Sequence, residues 1–186
     1  MLAILVFSLR NLPFSVDSYL LLSFYDSTRL VKIDDKEGDL RFTPLQSDAI
    51  AGLRMHEPTI AFSNVSQRVK GQDGKARYMN SSLVVQATAS CVSLLELDEG
   101  LQTHVKLDRW EVKANVFEDP NAEIVAASIN SSQIALAVSG GKKILLSVAE
   151  DKKFRVNLSV SLSTLLTSGL TPDYLNLQDN YEVSQK

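Results

Sequence analysis

Apolar and polar positions along this chain come in short runs, and most of the runs alternate. Residues 17–25 (DSYLLLSFY) and 28–33 (TRLVKI) flank Asp26-Ser27, and the second run interleaves charged with apolar side chains as a half-buried strand does. Residues 34–39 (DDKEGD) read as a charged turn, and 58–62 (PTIAF) as a further strand. Residues 82–89 (SLVVQATA) and 91–97 (CVSLLEL) predict a hairpin, with Asp98-Glu99-Gly100 ending its second strand. Residues 133–138 (QIALAV) and 143–148 (KILLSV) flank Gly140-Gly141, and a glycine pair supplies the positive φ that a two-residue hairpin turn demands. Asn130 to Ser132 reads as another tight turn, in which the Asn130 side chain bonds its own backbone and tolerates left-handed geometry. Residues 154–162 (FRVNLSVSL) alternate again, and residues 163–186 are rich in Ser, Thr, Asp and Asn.

No stretch predicts a long helix; residues 48–55 and 163–170 hold a turn or two at most. Strands recurring about every 8–12 residues mean a sandwich, a barrel or a propeller. A propeller blade takes roughly 40–45 residues for four strands. The fold class expected is therefore all-β, a partial β-propeller of about three to four four-stranded antiparallel blades. Residues 1–162 form the propeller part, and 163–186 a polar tail or an incomplete blade. Closed propellers have about 4–8 blades, so the chain reads as a fragment of a larger propeller. An arc that does not close leaves outer strands unpaired, which invites association.

Composition narrows the classes. The chain has 186 residues, 45% hydrophobic and 22% charged, which can bury a core and is not the signature of disorder. Its net charge of −3 gives no global field for nucleic acid, so such contact requires a local basic patch. That patch is the segment Arg68 to Tyr78, read as a loop, in which Arg68, Lys70, Lys75 and Arg77 stand against Asp73 alone. With Tyr78 beside them, these residues suit phosphate contact and base stacking; Gly71 and Gly74 equally suit a solvated insertion. Its Gly-x-x-Gly-Lys spacing is not that of a phosphate-binding Walker loop.

One cysteine, Cys91, forbids an intrachain disulfide and fits a reducing compartment, with the thiol as a small core residue. His56 and His104 have no metal-ligand spacing, and the acidic pairs Asp34-Asp35 and Asp98-Glu99 fall in turns. The apolar start, residues 1–7, lacks the basic flank of a signal peptide, and no run reaches the roughly 20 apolar residues of a membrane span. It reads as a buried strand. Four Asn-x-Ser sequons, at Asn64, Asn80, Asn130 and Asn157, are chance matches without secretion. Trp110 reads as a core anchor between blades, with a contact on the rim as the alternative. Nothing in the chain forms a catalytic constellation, and no cofactor or small-molecule substrate is expected.

Several of these runs resemble a known family. They are Ser18-Tyr-Leu-Leu-Leu-Ser-Phe24 with Ser27-Thr-Arg-Leu30, then Val84-Val-Gln-Ala-Thr-Ala-Ser-Cys-Val92, then Trp110, and Ile124 through Val138. The family contains the large damaged-DNA-binding protein, the largest cleavage-and-polyadenylation specificity subunit and the propeller subunit of the branch-site splicing complex. The form Ala127-Ser-Ile-Asn-Ser-Ser-Gln133 looks closest to the damaged-DNA-binding branch. The resemblance covers about residues 17–148 and implies the second of three propellers, with no catalytic centre. It further implies nuclear localisation and protein partners, among them a cullin and other propeller proteins, in ubiquitin ligation and DNA repair. The related branches imply nucleic-acid contact in splicing or 3′-end processing. The chain departs from the pattern in its length, and in a connection between Asn64 and Ser82 that is longer than the family's.

Overall fold

The computed structural model describes residues 5–10, 17–36, 39–45, 52–97, 104–116 and 119–160. The alternating runs pair into three antiparallel sheets of four strands each, every one a simple meander. Blade A holds β1 (Leu5–Arg10), β2 (Asp17–Ser23), β3 (Thr28–Lys36) and β4 (Asp39–Pro44). Blade B holds β5 (Thr59–Lys70), β6 (Ala76–Thr88), β7 (Cys91–Leu97) and β8 (His104–Glu111), followed by one helical turn, α1 (Val112–Asn115). Blade C holds β9 (Ile124–Asn130), β10 (Gln133–Val138), β11 (Lys142–Val148) and β12 (Phe154–Val160). The first strands of the three sheets, β1, β5 and β9, pack side by side, so they mark the inner side of an arc from which each blade fans outward. The partial propeller expected from strand spacing is the fold observed.

Blade B is covered on both faces, which is why β6 is apolar at successive rather than alternate positions. Leu83, Val85 and Ala87 turn toward blade C and join Val92, Leu94 and Trp110 against Ile124, Ile134, Leu136, Ile144 and Leu146. Val84 turns the other way and meets Leu21, Leu30, Leu53, Met55, Phe62 and Leu95 in the core shared with blade A. Burying each such aliphatic side chain is worth about 1.5–3 kcal/mol, so these two inter-blade layers dominate stability. Trp110 and Cys91 are buried, as expected of core residues.

Cross-strand register shows what the outer blades present on their other sides. On blade A, Leu20, Leu22, Val31, Ile33 and Phe42 lie on the face turned from blade B, opposite to Leu21 and Leu30. On blade C, Ala126, Ala135, Leu145 and Leu158 share the face opposite to Ile134 and Leu136.

Four details differ from the sequence reading. Asp34 and Asp35 belong to β3 rather than to a turn, paired with Arg41 and Leu40. The segment of Arg68 to Tyr78 is not a loop but the end of the β5–β6 hairpin. The Gly140-Gly141 connection has three residues, because Val138 pairs with Lys142; both glycines do have positive φ, 76° and 83°. At the turn after β9 the left-handed residue is Ser131, with φ 53°, not Asn130. Residues 46–51, 98–103 and 161–186 lie outside the described residues, and with them much of the 48–55 segment, the Asp98-Glu99-Gly100 ending, and the tail at 163–186.

Candidate functional site

A meander places alternate turns at opposite ends of its sheet, so the three blades share two loop-bearing ends. Hydrogen bonds between turns confirm which belong together. At one end Thr28 N donates to Met55 O (2.8 Å), Ile124 N to Ala89 O (2.9 Å) and Ser139 N to Glu123 O (2.8 Å). At the other end Ser66 N donates to Ser131 O (3.4 Å), and Val148 N to Ser132 O (2.8 Å).

The basic segment stands at this second end. Ser66 lies level with the turn of blade C, and beyond it β5 and β6 continue as a ladder: Gln67 with Met79, Arg68 with Tyr78, Val69 with Arg77, Lys70 with Ala76. At about 3.3 Å per residue, the hairpin projects some 15 Å past the neighbouring turn. Its tip is closed by Gly71 N to Lys75 O (2.8 Å) and Gly74 N to Gly71 O (2.9 Å), with Gly74 at φ 75°. Asp73 Oδ1 accepts from Lys75 N at 3.1 Å, so the single acid helps form the turn. Lys70 and Lys75 are exposed. The five residues singled out in the sequence, Arg68, Lys70, Lys75, Arg77 and Tyr78, are thus brought together by strand pairing at one tip.

The first end holds a polar seam between blades A and B. Glu57 binds Arg54, with Nε 3.1 Å from Oε1, and accepts from Ser90 Oγ at 2.7 Å. Burial pushes the Glu57 carboxyl up, but hydrogen bonds from Ser90 and Thr88 and the charges of Arg54 and His56 outweigh it, leaving the pKa below the usual carboxylate value. Beneath the pair, Gln86 accepts from Arg54 N and donates to Thr59 Oγ1, both at 2.8 Å. Outside the seam lies the β2–β3 turn, where Tyr25 is 86% exposed and the Arg29 guanidinium sits 5.8 Å from the Phe24 ring centroid. Phe24, Tyr25, Asp26, Ser27 and Arg29 line a shallow groove there. The sequence reading missed this corner, although an aromatic residue directly before Asp-Ser in a turn, rather than inside a strand, was a signal for it.

Among the described residues, no group of three or more His, Cys, Asp or Glu side chains is placed to hold a metal ion. Cys91 is buried, its Sγ 3.8 Å from the hydroxyls of Thr88 and Ser93. His56 is exposed, 3.8 Å from Glu57. The described residues present two distinct surfaces: a basic hairpin at one end and an aromatic, arginine-bearing turn at the other. No helix among the described residues is long and apolar enough to cross a membrane.

The family model described as the RSE1/DDB1/CPSF1 second beta-propeller matches residues 6–172. No curated protein matches. Among solved structures, the crystal structure of a protein from Lactobacillus plantarum matches with a TM-score of 0.40 and 12% identity, over 77% of this chain and 54% of that one. The chain thus spans about half the length of that protein.

Proposed function

The chain belongs to the RSE1/DDB1/CPSF1 second β-propeller family, and on that premise we propose that it is a non-enzymatic scaffold in the nucleus, holding protein partners on the loops at the ends of its blades. The observation that carries this reading is the cross-blade bonding of those loops. At one end Ala89, in the turn after β6 of blade B, accepts from Ile124 N of blade C, and at the other Ser66 N of β5 donates to Ser131 O in the turn after β9, so the surfaces at the two ends keep fixed separations. An adaptor works by such geometry, and no bond need be made or broken on it.

The finer reading is an adaptor of the cullin–RING type, the role of the damaged-DNA-binding branch, with a cullin and further propeller proteins as partners. Tyr25, Phe24 and Arg29 support protein contact, since exposed Tyr and Arg are residue types enriched at binding hot spots. A second reading, a subunit of splicing or 3′-end processing machinery, is favoured by the projecting basic hairpin.

The test is a pull-down of the tagged chain from nuclear extract, with and without nuclease. Recovery of a cullin that resists nuclease supports the adaptor. Nuclease-sensitive recovery of RNA-processing factors supports the second reading, and recovery of neither overturns both.

A further inference from the structure

We propose that the tip of the β5–β6 hairpin is a binding site for the phosphate backbone of single-stranded nucleic acid, with Tyr78 adding a ring for a base to stack on. This inference does not depend on the adaptor reading. It starts from the ladder. Arg68, Lys70 and Arg77 fall within three successive pairs of the register, and Lys75 lies in the turn that closes them. Three pairs span about 10 Å of strand, comparable to the Debye length of about 10 Å at 0.1 M salt, so the four charges add to one local field; by register Arg68, Lys70 and Tyr78 share one face of the ribbon and Arg77 takes the other.

The surroundings sharpen the field. The chain as a whole is −3, so the positive charge of this tip contrasts with the rest and confines an anionic ligand to it. Asp73 is the one acid against four cations at the tip, and its Oδ1 accepts from the Lys75 backbone N–H at 3.1 Å. Lys70 and Lys75 are exposed, and no carboxylate pairs with either among the described residues. Paired strands carry the tip clear of the blade, so binding there orders little additional chain and loses less entropy than a mobile loop would.

A phosphate backbone fits better than an acidic peptide because charge and an aromatic residue coincide. Tyr78 is the register partner of Arg68, and base–aromatic stacking adds about 1–3 kcal/mol per base in strand-tracking sites. A site of four cations is small, which suits a few nucleotides of one strand.

The experiment is fluorescence anisotropy of the full chain with labelled oligouridylate and oligothymidylate of about 12 nucleotides, a length within usual site sizes. Three phosphate contacts on a single strand, from Arg68, Lys70 and Lys75, predict a slope of log K against log salt near −2, or about twentyfold weaker binding from about 50 to about 200 mM salt. Lys70→Gln with Lys75→Gln is expected to reduce that slope by about 1.4 while leaving the circular dichroism spectrum and Tm unchanged, both residues being exposed. Tyr78→Leu is expected to weaken binding about fivefold or more without changing the slope. Absence of binding at the lowest salt overturns the proposal. So does a slope that the double variant leaves unchanged, or a polyglutamate peptide that competes as well as oligouridylate.

Discussion

Replacing Gln86 with Ala should destabilise the fold far more than its polar character suggests. Gln86 lies near the C-terminal end of β6 and is fully buried. Thr28 Oγ1 donates its one proton to Glu57 O at 2.7 Å, so in the 2.8 Å contact with Thr59 it must accept. The proton order is therefore fixed: Gln86 Nε2–H to Thr59, Thr59 O–H to Thr28, Thr28 O–H to Glu57 O, with Gln86 Oε1 accepting from Arg54 N. Truncation strands Arg54 N and removes the donor to Thr59 Oγ1, each loss costing about 1–3 kcal/mol in a buried site. The emptied volume adds to this, for a total of about 3–5 kcal/mol, or a fall in Tm of about 10 °C or more at this chain length.

Gln86→Glu sharpens the test. At neutral pH its carboxylate has no proton to give Thr59, so the hydroxyl must turn back and abandon Thr28. Gln86→Glu should therefore be about as unstable as Gln86→Ala at pH 7, and should recover as acid protonates the buried carboxyl. Urea unfolding followed by circular dichroism, read at neutral and acidic pH, measures both variants. A loss of less than about 1 kcal/mol in Gln86→Ala, or a Gln86→Glu variant as stable as the parent at neutral pH, would refute the proton order.

Other perturbations separate the remaining devices of the fold. Gly52 has φ 100°, and an added Cβ would meet Leu95 Cδ2 at 2.8 Å; Gly52→Ala should cost about 2–4 kcal/mol in thermal melts. Gly140→Ala, at φ 76° with nothing within 4 Å, should cost only about 1 kcal/mol. Trp110 is 6% exposed, and its indole N–H has no partner among the described residues. Trp110→Phe should accordingly stay within about 1.5 kcal/mol of the parent, whereas Trp110→Ala should lose about 3–5. The lowered pKa of Glu57 supplies stability that is complete above its usual 4.5 and is lost as pH falls through the folded value; in acid titrations followed by Tm, Glu57→Gln should remove that part of the decline. Phe42 and Leu158 are 57% and 51% exposed on the outward faces of blades A and C. The isolated chain should therefore self-associate in light scattering, and Phe42→Lys with Leu158→Lys should suppress it.

The strand pattern was legible because most strands carry their apolar residues in runs bounded by Gly, Asp, Asn or Ser, as at Thr28 to Ile33 and Gln133 to Val138. The hairpin was not, because Gly71, Gly74 and a dense set of basic residues look like a loop, while backbone pairing continues through Lys70 and Ala76 regardless of composition. The clustering of Arg68, Lys70, Lys75 and Arg77 was visible nevertheless, since charge clustering is a property of sequence alone. The polar seam was hidden for a different reason. Gln86, Thr88 and Ser93 look like the solvent side of half-buried strands, yet all three are fully buried because blade A covers that face. Gln86 bonds Arg54 and Thr59, and Thr59 in turn bonds Thr28 and Ser23; these come from other elements, and no local spacing announces them.

The ties between blades also explain how two dissimilar ends can work on one body. Blades A and B are joined by the seam, where Thr59 N donates to Ser23 Oγ at 2.9 Å. Blades B and C are joined near their outer strands, where Asp108 Oδ2 accepts from Phe154 N at 2.7 Å and Lys152 Nζ reaches Glu96 at 2.8 Å. The ion pair is exposed and adds at most about 1 kcal/mol; the backbone contact to Asp108 is part-buried and charge-assisted, which makes it the stronger of the two. None of these bonds uses a side chain of the hairpin tip or of Tyr25. Partners can therefore engage either surface without breaking a bond that holds the blades, and the spacing between the two surfaces is set by the cores and not by the partners. That separation of holding from presenting is what a scaffold requires, and it arises from which residues lie between the blades and which project beyond them.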